Sequence, residues 1–146
     1  MLDVNVLVRA HERSAGSARG LLITLIQQKH TLLISSDMLL ELATVLRYPR
    51  LQALYNLSHE QIYNYILLLR DLCESVVIAQ ELHVPVRDPK DIAILQTAVI
   101  GEADVLCTLD SDFFAPETQA FCATVGLEVL TDTQLLERLR RGPQPA

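Results

Sequence analysis

The feature that most constrains this chain is a helix-strand unit with acids at both ends: VRDPKDIAILQTAVIGEADVLCTLDSDFF, from Val86 to Phe114. Asp88 before Pro89 predicts an N-cap with proline at the first helical position, and the helix then runs to about Gly101. Asp91 falls in its first turn. The rest of the helix, through Ile92, Ile94, Leu95, Ala98 and Ile100, is apolar on nearly every side, the pattern of an element covered all round by protein. Asp91 shares a stripe with Leu95 and Ala98. An inward carboxylate is costly unless something compensates it, and no Lys or Arg lies at helical spacing to do so. Beyond Gly101 the short apolar run Val105-Leu106-Cys107 ends in Thr108-Leu109-Asp110-Ser111-Asp112. More carboxylate oxygen therefore stands where a parallel strand would deliver it, at its C-terminal end. Hard oxygen ligands gathered there suggest a divalent cation.

The rest of the chain repeats short apolar strands alternating with helices. Met1 to Arg9 starts like a buried strand ending at Asp3 and Asn5, although only two residues precede the aspartate. A helix is expected from about Ser17 to Lys29, a buried strand at Leu32-Leu33-Ile34, and a helix capped by Ser35 or Ser36 whose inner face carries Met38, Leu42, Val45 and Leu46. Glu41 sits at the border of that face, and Pro49 ends the helix. Ser58-His59-Glu60-Gln61 is a capping box for a helix to about Leu72, followed by a strand at Val76-Val77-Ile78. After the central unit come a helix around Glu117 to Thr124, a strand near Glu128 to Leu130, and a last helix opened by the capping box Thr131-Asp132-Thr133-Gln134. No two-residue hairpin signal occurs. This order predicts a three-layer α/β/α sandwich with a central, mostly parallel sheet: one domain over residues 1–141 and a frayed tail over 142–146.

Composition narrows the classes of function. The formal net charge of −6 argues against holding nucleic acid by a broad basic surface. It does not argue against a nucleic-acid enzyme, because bound cations would cancel several acids. Ten arginines against two lysines favour bidentate phosphate contacts over a diffuse positive field. Cys73, Cys107 and Cys122 are odd in number, far apart and in apolar surroundings, so they read as buried reduced thiols of a cytoplasmic protein. There is no signal-peptide pattern, and no apolar run approaches the length of a membrane span.

In such a sandwich the strand C-termini share one edge, which brings Asp3 and Asp110 together near a switch point. Glu41 and Asp91 belong to helices that follow neighbouring strands and lean over the same edge. Four carboxylates around one crevice suit Mg²⁺ or Mn²⁺. The residues that carry this pattern resemble a known family, the PIN-domain ribonucleases, and within it the branch of toxin components of bacterial toxin-antitoxin pairs. The resemblance runs from Met1 to about Leu139. It rests on Leu2-Asp3-Val4-Asn5-Val6-Leu7-Val8, on Ser36 to Glu41 with Leu46, on Asp88-Pro89-Lys90-Asp91, and on Thr108-Leu109-Asp110-Ser111-Asp112. It implies a metal-dependent endoribonuclease in which Asp3, Glu41, Asp91 and Asp110 match the acidic quartet, with Asn5, Thr108 and Asp112 supporting it. Of these, Asp3, Asp91 and Asp110 are the expected metal ligands. The resemblance also implies an RNA substrate, a homodimer and a small antitoxin partner. Two departures from the pattern stand out: Val4 replaces the usual Thr or Ser, and the first strand is cut short at Met1.

Plainer readings compete for several of these residues. Asp88 and Asp112 read first as cap or turn residues. Asp3 with Asn5 is also similar to phosphatases with an aspartyl nucleophile, and a strand-end Asp to phospho-receiver domains. Both need a lysine near the phosphate, and neither Lys29 nor Lys90 is expected there. His11, His30, His59 and His83 lack ligand spacing and read as solvated or capping residues. The run Arg138, Arg140, Arg141 complements a helix dipole. Arg9, Arg13 and Arg19 follow Asp3 on a loop near the crevice and are candidates for RNA phosphate contact. The alternative to an enzyme is a catalytically weak or inactive PIN-fold protein that binds a partner.

Overall fold

A computed structural model describes residues 1–79 and 81–142; the expected tail lies, from residue 143 onward, outside the described residues. The fold is α/β, and its strands pair in parallel as the alternation of helices and strands predicts. Helices α1 (Val4–Val8), α2 (Ser17–Gln27), α3 (Ser36–Val45), α4 (Pro49–Tyr55), α5 (His59–Leu72), α6 (Pro89–Ile100), α7 (Pro116–Thr124) and α8 (Asp132–Arg141) surround strands β1 (Leu33–Ile34), β2 (Glu74–Ser75), β3 (Val105–Cys107) and β4 (Glu128–Leu130). The sheet is smaller than expected. It consists of two parallel pairs, β1 with β2 and β3 with β4. Leu2 adds a parallel bridge to Cys107, through Cys107 N–H to Met1 O and Asp3 N–H to Cys107 O, both 2.9 Å.

Local chemistry explains most of the boundaries. Ser58 and Gln61 form a reciprocal capping box at α5, and Thr131 and Gln134 form another at α8. The Asp88 side chain accepts from Lys90 N–H at 2.9 Å, with Pro89 at the first helical position of α6. Ser35 caps α3 and its hydroxyl oxygen takes the Thr97 hydroxyl at 3.0 Å, which ties α3 to α6 in the interior.

Two segments depart from expectation. The strand expected to end at Asp3 and Asn5 stops at the first of these: the chain turns into α1 directly after Asp3, whose carbonyl accepts from Val6 and Leu7 N–H at 3.0 Å. All of α1 except Asn5 is buried, and it packs on α3, so tertiary burial overrides the strand preference of β-branched residues. The strand expected at Val76–Ile78 lies earlier, at Glu74–Ser75. Its partner β1 ends where Ser35 begins the α3 cap, so pairing stops after Val76 N–H reaches Ile34 O, and Val77 is exposed.

The core is continuous from α1 through α2, α3, α5 and α6 to β3, β4 and α8. Cys107 and Cys122 are buried and Cys73 half-buried, all as free thiols. His11 corrects the expectation of a solvated histidine. It is buried, its Nδ1 accepts from Arg13 N–H at 3.1 Å, and its ring meets Tyr55 edge-on at a centroid distance of 4.3 Å. Burial is the first cause of its lowered pKa. No helix among the described residues is long and apolar enough to cross a membrane.

Candidate metal centre

The C-terminal ends of the Leu2 bridge and of β3 open into a crevice of about 630 Å³. Asp3, Asn5, Glu41, Asp91 and Asp110 all line it, so the sequence-predicted quartet does share one cavity. Its members are held in different ways.

Asp3 is buried at the end of the two-residue bridge segment. Its Oδ2 accepts a 2.7 Å hydrogen bond from the Thr108 hydroxyl, and the Thr108 oxygen in turn accepts from Asp110 N–H at 3.0 Å. One buried hydroxyl thus links the acid after the first segment to the acid after β3. Burial raises the Asp3 pKa, opposed by the Thr108 hydrogen bond and by the backbone N–H groups of Val4 and Asn5, while the Asp110 charge pushes it further up.

Asp91, in the first turn of α6, is buried without a basic partner among the described ion pairs. Desolvation is the largest cause of its raised pKa, followed by the charges of Asp110, Asp88, Asp3 and Asp112, and together they bring it to about 7. Asp110 caps the 3₁₀ turn Ser111–Phe114 by accepting Asp112 N–H at 3.0 Å, a short-range bond that fixes where both carboxylates sit.

Asp91, Asp110 and Asp112 offer carboxylate oxygens that all lie within 4.8 Å of one another. Opposite oxygens on one Mg²⁺, with bonds of about 2.0–2.1 Å, are about 4 Å apart, so this donor set fits a hard divalent cation after small side-chain movements. The tight triad contains Asp112, which the sequence places only in support, and leaves Asp3 and Glu41 on the surrounding wall. Asn5 is exposed on α1 at the rim.

Glu41 is not free. Its Oε1 lies 3.1 Å from Lys90 Nζ, and Lys90 itself lines the crevice. Sequence spacing does not reveal this lysine, because the pairing joins α3 to α6 through space. The one available signal was the position of Lys90 between Asp88 and Asp91. A lysine thus does stand at the acids, as an aspartyl nucleophile or a phospho-receiver would require, but its ammonium rests on Glu41 rather than on Asp3.

Two of the three arginines expected at phosphate are engaged elsewhere, and the third is exposed to solvent. Arg9 pairs with the buried Asp132 at 3.4 Å, Arg19 donates to Ala10 O at 3.1 Å, and Arg13 is exposed; none of the three lines the crevice.

Comparison with known proteins assigns the chain a family. No curated protein and no solved structure matches it. The family model of the PIN domain matches residues 1–112, which span every carboxylate of the crevice. PIN domains are generally nucleases that use divalent metals. This chain belongs to the PIN domain family.

Proposed function

We propose that the protein is an endoribonuclease dependent on Mg²⁺ or Mn²⁺, acting in the cytoplasm as the toxin of a toxin-antitoxin pair. The observation that carries the nuclease reading is the convergence of Asp91, Asp110 and Asp112 at a PIN-domain crevice that Asp3, Asp91 and Asp110 line. Asp91, Asp110 and Asp112 would hold the cation, with Asp3 the next oxygen donor. A divalent ion bound there supplies Lewis-acid polarisation of a phosphodiester and a lowered pKa for an attacking water. The chain's own residues set the conditions. Thr108 fixes the rotamer of Asp3 and the backbone of Asp110 together, so that the two acids move as a unit. Asp91, raised to about 7 by desolvation first and by its like-charged neighbours second, is a carboxylate whose protonation responds near neutrality. Glu41 and Lys90 offer an acceptor and a cation side by side at the wall, suited to orienting a water and a phosphate oxygen respectively. Hydrolysis in line leaves a 5′-phosphate and a 3′-hydroxyl.

RNA as substrate, a small antitoxin and a homodimer belong to this reading through the family resemblance. Incubating a mixed RNA pool with Mn²⁺ or with EDTA and mapping the ends tests it. Metal-dependent cuts with 5′-phosphate ends support it, and cuts that persist in EDTA contradict it. The ion pair of Lys90 with Glu41 favours a second reading, a PIN-fold partner-binding protein whose acidic site is partly neutralised and turns over slowly. Mn²⁺ binding without RNA cleavage is its signature.

A further inference from the structure

Past Glu41 the crevice continues onto a wall of different chemistry. Leu40, Thr44, Tyr48 and Arg50 line this extension. Leu40 is 71% exposed and Tyr48 42% exposed, so apolar and aromatic area faces an open cavity where a core position would hide it. Tyr48 is the N-cap of α4 and precedes Pro49, with an extended backbone (φ −62°, ψ 141°). Proline fixes its own φ and restricts the residue before it, so the Tyr48 ring is carried on a stiff support. Arg50, in the first turn of α4, is exposed and takes part in none of the ion pairs among the described residues.

We propose that Tyr48 and Arg50 form a subsite for one unpaired nucleotide of a single-stranded RNA that lies across the crevice. Tyr48 stacks on the base and Arg50 holds a neighbouring phosphate. The inference rests on the ribonuclease reading above and adds the residues that seat the strand beside the acids. Its physical basis is division of labour along one cavity. A cluster of carboxylates repels a phosphodiester backbone, so the strand needs a cationic and π-faced anchor close by, and this wall is where an exposed aromatic and an unpaired guanidinium adjoin the acids. Stacking on an exposed ring requires a base whose face is free, which a duplex does not present. The cavity, about 630 Å³, falls within the range of about 300–1,000 Å³ common for ligand sites.

The test is equilibrium binding of a short fluorescently labelled oligoadenylate to the full chain with Ca²⁺ as the cation, with the blunt duplex of the same length as control. Parent, Tyr48→Ala, Tyr48→Phe and Arg50→Ala are compared, and Mn²⁺ affinity, oligomeric state and melting temperature are recorded for each. Tyr48→Ala is expected to weaken single-strand binding about tenfold, Tyr48→Phe to stay within about twofold of the parent, and duplex binding to be unmoved. Arg50→Ala is expected to weaken binding and to lower the slope of log K against log salt by about 0.7. Mn²⁺ affinity should be the same in all four. Equal single-strand binding by parent and Tyr48→Ala overturns the subsite, as does a Phe variant as weak as the Ala variant. A change of oligomeric state in Tyr48→Ala with RNA binding intact also overturns it and assigns this wall to contact between copies. If the parent cleaves RNA yet the variants bind it equally, the subsite alone fails. A parent that neither binds nor cleaves RNA removes the ribonuclease reading as well.

Discussion

Thr108 donates its hydroxyl to Asp3 Oδ2 at 2.7 Å, across 105 positions of chain, and accepts the amide of Asp110 on the same oxygen. Both bonds are made by a residue with no accessible surface. Thr108→Val keeps the shape and removes both. It leaves a buried carboxylate and a backbone N–H short of a partner, for which about 1–3 kcal/mol of stability is expected to be lost, while Thr108→Ser keeps most of it. Urea midpoints of the three proteins check this; a Val variant as stable as the parent would show that the bond does not hold the site together.

The acidity of the site predicts an inverted pH dependence. Asp91 has a folded-state pKa of about 7, above its ordinary carboxylate value, so the folded protein retains a proton that the unfolded chain has lost. The sign follows from linkage: stability is full below the unfolded pKa, near 4, and declines as pH rises toward about 7. Asp3, raised in the same direction by burial, adds to the decline. Thermal melts in EDTA across this window should therefore fall with pH for the parent and flatten for Asp91→Asn. A parent that gains stability over the same range contradicts the desolvated, unpaired Asp91.

Arg9 has a structural assignment, and it makes a prediction opposite to the one its position in sequence suggests. Its partner Asp132 is nearly inaccessible and accepts in addition from the Ser17 hydroxyl at 2.9 Å. Arg9→Ala should lower stability by about 1–3 kcal/mol, because a buried charge loses its partner, and should leave the salt dependence of RNA binding unchanged. A flattened salt slope with unchanged melting temperature would return Arg9 to the substrate.

What the sequence made legible was local or repeated. The capping boxes at Ser58 and Thr131, the Asp88-Pro89 start of α6 and the short apolar runs of β3 and β4 each carry their signal within a few residues, and each is present. The gathering of Asp3, Glu41, Asp91 and Asp110 into one crevice was readable because strand C-termini share an edge. What escaped depends on partners distant in sequence. The opening segment reads as a strand ending at Asp3 and Asn5, and from Val4 it is instead a helix buried against α3. His11 looks like a loop residue and is enclosed by Tyr55 and Tyr65. Glu41 meets Lys90 across two helices, and Asp112 joins the triad because the Asp110 cap turns the chain there.

The most direct test of the metal centre is the melting temperature of Asp110→Asn against the parent, in EDTA and in Mn²⁺. The substitution keeps an oxygen to accept Asp112 N–H and so preserves the cap while removing a charge. With Asp91, Asp110 and Asp112 within 4.8 Å, repulsion between two ionised members ranges from about 1 kcal/mol per pair at the dielectric of water to about 3–4 kcal/mol at an effective dielectric of about 20. The variant is predicted to melt higher than the parent in EDTA, and Mn²⁺ is predicted to stabilise the parent more than the variant, since binding to the folded state adds stability only where the site is whole. A variant that melts lower in EDTA, with Mn²⁺ shifting both proteins alike, would mean that these carboxylates are structural and would contradict the metal centre.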